Sequence, residues 1–246
     1  MLVAKDFRQK AREALSGNWA VAVGTGFVAS LLGAYTTFTG GGGSGSSSSS
    51  DAVDNALESG SVPNSVILMI TMIILVVSMV ILAVALMHFI IGGAVTLGYV
   101  KFNLDMVDGQ TPMFKDLFSQ FHRFGDGFVM QLLRSLFIFL WTLLFIIPGM
   151  IATYRYAMTP YILYENPGMS ASDAIKESKQ LMDGNKWRLF CLNFSFIGWD
   201  LLGILSLGIG FLWIAPYREA AYAAFYREIK YNKYSQPYVG YSESNF

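Results

Sequence analysis

The chain has little charge and few side chains that bind metals or form disulfides. Of its 246 residues only 14% are Asp, Glu, Lys or Arg, and their formal charges sum to zero. The single cysteine, Cys191, cannot form an internal disulfide, and two histidines, His88 and His122, are too few for a typical zinc site. We therefore expect no disulfide framework, no bound metal and no cofactor.

The sequence also lacks the common motifs of catalysis and of nucleic-acid binding. It contains no His-Glu-x-x-His, no Gly-x-Ser-x-Gly and no Gly-x-x-x-x-Gly-Lys. It has no run of basic residues interleaved with aromatic residues of the kind that follows a phosphate backbone. These absences predict that the protein is not an enzyme and has no nucleic-acid partner.

Long hydrophobic segments are what the sequence has in abundance, since 54% of its residues are hydrophobic. This composition predicts an all-α fold, a polytopic bundle of about six transmembrane helices that forms one membrane domain over residues 1–246. The predicted spans are residues 19–38, 65–100, 128–147, 150–164, 188–207 and 209–229. The second span exceeds one bilayer, so we expect it to tilt, to project, or to break near Gly92 and Gly93. The third should end at the Pro148-Gly149 turn.

Basic residues are distributed unevenly around these spans. The segment 39–64, which contains a Gly/Ser-rich run typical of a flexible loop, has no Lys or Arg. Fourteen of the 17 Lys and Arg residues fall in the terminal segments, in the loops after the second and fourth spans, or at the cytoplasmic ends of the fifth and sixth spans. Because Lys and Arg are enriched in cytoplasmic loops, we expect a multi-pass protein of the cell membrane with both termini in the cytoplasm. Re-entrant hairpins in place of spans three to six would leave the same charge bias.

Two cytoplasmic segments have the pattern of amphipathic helices. In residues 111–124, Pro112 suits a first helical position, and apolar side chains recur at helical spacing. In residues 170–183, Ser170 and Asp173 resemble a capping box, and Gly184 suits the C-terminal end. Such helices can dock on lipid or on a protein, or can simply connect spans along the bilayer surface.

Charged residues within the predicted spans are the candidate functional residues, because each is costly in lipid unless it is paired or hydrated. Arg155, Asp200, Arg218 and Glu219 fall at similar predicted depths, so we expect them to form one intramembrane polar cluster. That cluster is either a structural network or the lining of a solute or proton pathway, which His88 would join as a relay. Arg134 lies near the cytoplasmic edge and is expected to snorkel to the headgroups.

Several short strings together resemble one family. They are Ala11-Arg-Glu-Ala-Leu15, Gly17-Asn-Trp19, Pro148-Gly149, Tyr156-Ala-Met158, Pro160-Tyr-Ile-Leu163, Ser178-Lys-Gln-Leu-Met182, Ser195-Phe-Ile-Gly-Trp199, Pro216-Tyr217 and Phe225-Tyr226. The combination resembles the domain of unknown function 975 family of bacterial membrane proteins, found mainly in Gram-positive bacteria. The resemblance implies a polytopic integral membrane protein and supplies no activity or catalytic residue. The acid after Trp199 departs from the family pattern.

The sequence thus predicts a structural or accessory membrane component that binds membrane lipid, a membrane-protein partner or a second copy of itself. Small residues recur at every fourth position of the first span, at Ala22, Gly26, Ser30 and Ala34. They allow the close approach of another helix, either from within the chain or from a second copy. The alternative is a small-solute transporter or permease-like subunit that uses the intramembrane polar cluster. A water-accessible cluster would favour the alternative, and a dry, paired one would favour the accessory component.

Overall fold

The computed structural model describes residues 3–32 and 64–234, and the regular structure in these ranges is helical. The α-helices are α1 (Ala4–Leu15), α2 (Trp19–Leu31), α3 (Asn64–Val107), α4 (Phe124–Leu144), α5 (Ile146–Arg155), α6 (Thr159–Glu165), α7 (Ala171–Leu181), α8 (Lys186–Phe194), α9 (Ile197–Leu205) and α10 (Phe211–Tyr234). The all-α prediction is confirmed for these residues. The predicted Gly/Ser loop lies outside them, apart from Asn64.

The chain divides into two compact units, residues 38–90 and residues 1–37 with 91–246. The described part of the first unit is the beginning of α3, whose apolar side chains are exposed; Leu68 and Met79, for example, are 66% and 67% exposed. Soluble proteins rarely expose continuous apolar surfaces of this kind, whereas lipid accommodates them. The single membrane domain predicted from the sequence stays a prediction.

Three segments are long and apolar enough to cross a membrane. They are Val66–Val107, Phe114–Leu144 and Lys186–Leu205. Helices α1 and α2 meet this criterion only together, and they are bent by 104° at their junction, where Gly17 has a φ of +85°. The described residues are therefore compatible with a membrane protein of three spans, or of four if α1 and α2 form one broken span. Six separate crossings are not confirmed.

The fourth predicted span, residues 150–164, is not one continuous helix. Helix α5 has 10 residues and α6 has seven, whereas a straight crossing needs about 20. The reversal before α5 is at Phe145, which is extended (φ −159°, ψ 147°), and not at Pro148-Gly149. Pro148 lies in the first turn of α5, where a missing backbone N–H costs no helical hydrogen bond.

The predicted break of the second span at Gly92 and Gly93 is wrong, because α3 is continuous from Asn64 to Val107. Gly93 instead allows a close approach of α3 and α4. A Cβ atom at Gly93 would lie 2.2 Å from the carbonyl oxygen of Gly127, and a Cβ at Gly127 would lie 2.7 Å from the carbonyl carbon of Gly93. The two glycines are needed where the two backbones touch, since any side chain would push the helices apart.

The segment 111–124 does not form the single amphipathic α-helix predicted from its spacing. It forms two short 3₁₀-helices, Phe114–Phe118 and Phe121–Arg123, before α4 begins. Leu117 is buried in the core, while Phe114, Phe118 and Phe121 are partly exposed. The ring centroid of Phe118 lies 5.9 Å from that of Phe114 and 5.7 Å from that of Phe121. Lys101 of α3 forms an ion pair with Asp116, which holds the first 3₁₀-helix in place.

The segment 170–183 forms the expected helix, α7. The Ser170 hydroxyl accepts a hydrogen bond from the Asp173 backbone N–H at 3.2 Å, and Gly184 has a φ of +74° at the C-terminal end. One side of α7 is buried, with Ala174, Ile175 and Ser178 among its contacts with the core. The cap and the terminal glycine were predictable because both act within one turn of their own helix.

Helix α10 is the centre of the unit that contains the core. It packs against α1, α2 and α9, and its residues from Pro216 to Tyr226 are buried. The small residues of α2 serve this packing: Ala22 is fully buried, and Gly26 lies close to Pro216 of α10 and to the Tyr99 hydroxyl. The part of the stripe formed by Ala22 and Gly26 is therefore used within the chain.

Candidate functional site

Two of the predicted cluster residues form an ion pair. Asp200 lies on α9 and Arg218 on α10, and the Arg218 guanidinium donates a hydrogen bond to an Asp200 carboxylate oxygen. The guanidinium carbon also lies 5.4 Å from the centre of the Phe196 ring. The Arg218 side chain is 10% exposed and that of Asp200 is 32% exposed. The pair therefore joins α9 to α10 beside an aromatic ring. In this apolar setting each charge is compensated by its partner, and the ring adds a favourable contact with the guanidinium.

Glu219 follows Arg218 in α10 but takes part in a different interaction. Consecutive helical residues point about 100° apart, and Glu219 is buried where its charge interacts with Arg134 of α4 and with Tyr161 of α6. The snorkelling predicted for Arg134 is wrong, since its side chain is buried inside the protein. A charged residue in an apolar helix indicates that a compensating partner exists, and Arg134 is such a residue. The sequence alone did not identify Glu219 as that partner.

Arg155 lies in a different place from the Asp200–Arg218 pair. It lines a cavity of about 300 Å³ together with Lys176, Lys179, Gln180 and Asp183, and its backbone carbonyl accepts a hydrogen bond from the Ser178 hydroxyl at 2.9 Å. The depth estimate that grouped Arg155 with the other charges assumed a straight helix from 150 to 164. Because α5 ends at Arg155, that estimate fails, and the single four-residue cluster is corrected to separate sites.

His88, the proposed relay residue, lies on the exposed beginning of α3. Its role as a relay stays a prediction.

Within residues 3–32 and 64–234, no group of three or more His, Cys, Asp or Glu side chains has the arrangement of a metal site.

Tyrosines extend the buried polar region around Arg134 and Glu219. The Tyr222 hydroxyl donates a hydrogen bond to the Asn193 side-chain oxygen, and the Asn193 amide donates to the Tyr154 hydroxyl at 3.4 Å. Tyr161 stacks on Tyr226 with ring centroids 5.1 Å apart. The buried hydroxyls of Thr25, Thr96, Thr159 and Tyr161 have no hydrogen-bond partner among the described residues.

A second ionic cluster connects α3, α6 and α10, and it was not predicted from the sequence. Glu165, the last residue of α6, accepts hydrogen bonds from Lys230 at 2.6 Å and from Tyr226 and Arg227 of α10. Arg227 also binds the carboxylate of Asp108 just after α3, with its Nε 2.9 Å from Oδ1. Burial raises the pKa of the Glu165 carboxyl, but the bonds from Lys230 and Tyr226 and the charge of Arg227 outweigh burial and hold that pKa below its ordinary value.

The lowered pKa of Glu165 predicts a pH-dependent contribution to stability. The ionised carboxylate stabilises the fold above the ordinary pKa of 4.5, and the contribution is lost as the pH falls through the lower folded value. We expect Glu165→Gln to lower the free energy of unfolding by about 1–3 kcal/mol at pH 7. This difference from the parent protein should shrink below pH 4.5, as measured by denaturation in detergent. The exposed Glu13→Gln variant is the control, and a difference that does not change with pH would contradict the prediction.

An aromatic groove lies between the junction of α1 with α2 and the α9–α10 hairpin. Its volume is about 670 Å³, and its lining comprises Arg12, Trp19, Trp199, Leu202, Gly203, Ser206, Gly210, Trp213, Ile214 and Tyr217. Trp199 and Trp213 are 40% and 50% exposed. Tyr217 is central, because the rings of Trp199 and Trp19 lie 6.2 and 6.5 Å from its ring.

The local fold of the hairpin shapes the aromatic groove. Leu207 and Gly208 both have positive φ values, 54° and 89°, and reverse the chain between α9 and α10. A Cβ atom at Gly210 would lie 3.0 Å from the Cα of Gly203, so glycine is needed there for the two helices to meet closely. Among the described residues of the lining, Arg12, near the end of α1, is the one that carries a charge.

Comparison with known protein families supports the resemblance seen in the sequence. Residues 142–233 match the model of the family described as a protein of unknown function, DUF975. The predicted family is confirmed over this segment. The DUF975 segment contains Arg155, Asp200, Arg218 and Glu219, whereas Arg12, Trp19 and Arg134 precede it. No curated protein and no solved structure matches the chain.

Proposed function

We propose that this protein is a non-enzymatic accessory component of the cell membrane that binds a membrane lipid in the aromatic groove. The observation that carries the proposal is the composition of the groove, in which three tryptophans and a tyrosine surround a mostly apolar space of about 670 Å³. Ligand sites commonly combine a concave apolar lining with a few polar groups that orient the ligand.

The chemistry of the lining favours an amphiphile. Trp199, Trp213 and Leu202 offer apolar surface to an acyl chain, while Arg12 offers a positive charge to an anionic headgroup. Tryptophan is enriched at membrane interfaces, where one end of its ring system is apolar and the other is wet. The groove therefore suits a molecule with an apolar chain and a negative head.

The paired charges support a structural role for the rest of the bundle. The Asp200–Arg218 pair joins α9 to α10, and the Glu165 cluster joins the ends of α3, α6 and α10. Ionic contacts between separate helices restrain their relative positions, which suits a scaffold that holds a lipid or a partner protein. A bacterial origin and a cell-membrane location are part of the same proposal, on the family resemblance and the charge distribution.

The proposed topology has both termini in the cytoplasm, an arrangement that six crossings or re-entrant hairpins in place of spans three to six would equally give. The distribution of basic residues supports it. Helix α10 has 24 residues, about 36 Å at 1.5 Å per residue. Its residues from Pro216 to Tyr226 are buried within the chain, so this part of the helix does not need the apolar composition of a lipid-facing helix.

Leu202→Trp provides a direct test of lipid binding in the aromatic groove. Leu202 lines the groove and is 57% exposed, so a larger side chain there fills the space without disturbing the core. We expect about tenfold weaker retention of anionic phospholipid, because the indole occupies space that the ligand would fill, and a tenfold change corresponds to about 1.4 kcal/mol. Native mass spectrometry of the purified full-length protein would measure this.

The adjacent Leu201→Trp variant is the matched control, since Leu201 is also 57% exposed but does not line the groove. Its lipid retention should equal that of the parent protein. Equal retention by the Leu202→Trp variant would contradict lipid binding in the aromatic groove.

A second candidate function is solute or proton transport, favoured by one observation. The buried hydroxyls of Thr25, Thr96, Thr159 and Tyr161 have no hydrogen-bond partner among the described residues, and Tyr161 interacts electrostatically with Arg134 and Glu219. Buried polar groups without protein partners are frequently hydrated. Water at these positions would supply the polar route that a transporter needs.

Thiol labelling distinguishes the two functions. In a Cys191→Ser background, Thr25→Cys and Thr159→Cys place nearly isosteric thiols at fully buried positions, and Ser172→Cys places one on the exposed face of α7. The accessory function predicts that a membrane-impermeant reagent labels only the Ser172→Cys thiol in permeabilised membranes. Labelling of both buried thiols at a comparable rate would support a water-filled route and contradict the accessory function.

A further inference from the structure

The cavity that contains Arg155 is formed by the end of one helix and one face of another. Arg155 ends α5, while Lys176, Lys179 and Gln180 lie on α7 and Asp183 follows it. The hydrogen bond from the Ser178 hydroxyl to the Arg155 carbonyl fixes α7 against the end of α5. Ser178 is fully buried, so the position of the Arg155 backbone relative to α7 is a property of the fold.

The charges around this cavity are unbalanced. Three cations and one carboxylate line it, a net charge of +2. The carboxylate of Asp183 is already engaged, because Lys186, which does not line the cavity, donates to it at 2.9 Å. Lys176 pairs with Asp173 on the surface, where both side chains are more than half exposed and such a pair contributes little.

Arg155 and Lys179 have no ion pair within residues 3–32 and 64–234. The Nε of Arg155 is buried and makes no hydrogen bond with the described protein atoms. A buried guanidinium N–H without an acceptor is unfavourable. An anionic ligand in the cavity would offset the excess positive charge.

We propose that Arg155, Lys176 and Lys179 form a binding site for a phosphoryl group. The planar fork of arginine matches two oxygens of a phosphate, and the lysine ammonium groups add compact positive charges. The cavity of about 300 Å³ is at the lower end of the size of small-ligand sites, which suits a single phosphoryl group. Gln180 can donate to a further oxygen, and the phosphoryl group comes either from free phosphate or from a phospholipid headgroup.

This site is separate from the aromatic groove, because the two sets of lining residues do not overlap. The phosphoryl site therefore does not depend on the proposed lipid binding in the groove. The Leu202→Trp variant should leave the phosphoryl site unchanged, and variants of the phosphoryl site should leave the groove unchanged. Failure of one proposal is in this way distinguishable from failure of the other.

The test uses the purified full-length protein and two probes. Inorganic phosphate is titrated against chloride at equal ionic strength while the midpoint of thermal unfolding is measured. Phosphatidylglycerol and phosphatidylcholine are compared as adducts by native mass spectrometry. Saturable stabilisation by inorganic phosphate identifies a site that is open to free phosphate. Selective binding of phosphatidylglycerol, with no stabilisation by inorganic phosphate, identifies a site for a phospholipid headgroup.

In either case we expect the double variant Arg155→Gln/Lys179→Gln to bind the effective probe about tenfold more weakly. Lys179→Gln alone, at an exposed position where substitutions have little effect on stability, should weaken binding about threefold. Arg155→Lys should bind better than Arg155→Gln. The double variant Lys5→Gln/Lys115→Gln removes the same charge at exposed positions and should bind like the parent protein. Unchanged binding in the Arg155→Gln/Lys179→Gln and Lys179→Gln variants, or binding of neither probe, would overturn the phosphoryl site.

Discussion

Replacing Glu219 with glutamine is expected to lower the free energy of unfolding by about 3–5 kcal/mol. The Arg134 and Glu219 side chains are 8% and 4% exposed, and the two charges interact across α4 and α10. Removing the carboxylate takes away a negative charge that acts on the buried Arg134 guanidinium, and a buried charge with less compensation is costly. Equilibrium unfolding of the purified protein in mixed detergent micelles would measure the loss.

A double variant separates the charge effect from the effect of lost packing. Replacing a buried ion pair with apolar residues of similar size is often neutral, so Arg134→Met/Glu219→Leu should recover much of the stability lost by Glu219→Gln. The exposed Glu13→Gln variant should change stability by less than about 0.5 kcal/mol. Strictly additive losses from Arg134→Met and Glu219→Leu would show that the two charges are not coupled, against this prediction.

Replacing Arg188 with methionine should have a comparable effect at the other side of α10. The Arg188 Nη2 lies 2.9 Å from both carboxylate oxygens of Glu228, whose side chain is 9% exposed. The guanidinium carbon also lies 5.7 and 5.6 Å from the ring centres of Phe7 and Phe225. The variant therefore leaves the Glu228 charge buried and removes the stacked contact that joins α8 to α1, a loss of about 3–5 kcal/mol.

The Arg188→Lys variant tests why arginine is used at this position. Lysine keeps the charge but loses the planar fork and the stacking on the two phenylalanines, so about half of the loss is expected to remain. Lys233→Met, which removes an exposed cation from the same end of α10, is the matched control. Parent-like unfolding of the Arg188→Met variant in the same detergent assay would rule out this contact as a main support of the fold.

Local features of the sequence predicted local structure well. The Ser170 cap and the Gly184 end of α7 were identified correctly because each depends on atoms within one turn. The expectation for residues 111–124 was wrong, although their spacing is helical. Burial of Leu117 and the Lys101–Asp116 ion pair, both with partners distant in sequence, hold that segment as two 3₁₀-helices.

The candidate sites show the same difference between contacts that are short-range in sequence and contacts that are long-range. Asp200 and Arg218 were expected to meet and do so, because they flank a short hairpin with a reversal at Leu207 and Gly208. Glu165 and Arg227 were not connected in advance, since they are separated by 62 positions and lie on different helices. The aromatic groove likewise combines Trp19 with Trp199 and Trp213, and nothing in their spacing indicates a common site.

Composition and short-range pattern were enough to establish that the chain is helical, that it has helices apolar enough to cross a bilayer, and which family its residues 142–233 resemble. These properties follow from hydrophobicity and from interactions within a turn or two of helix, which the order of residues specifies directly. The interaction between Arg134 and Glu219 and the position of Arg155 beside α7 followed only from the tertiary structure. A charge in an apolar helix requires compensation, but which distant side chain supplies it depends on where helices bend and approach, and those positions are set by long-range contacts.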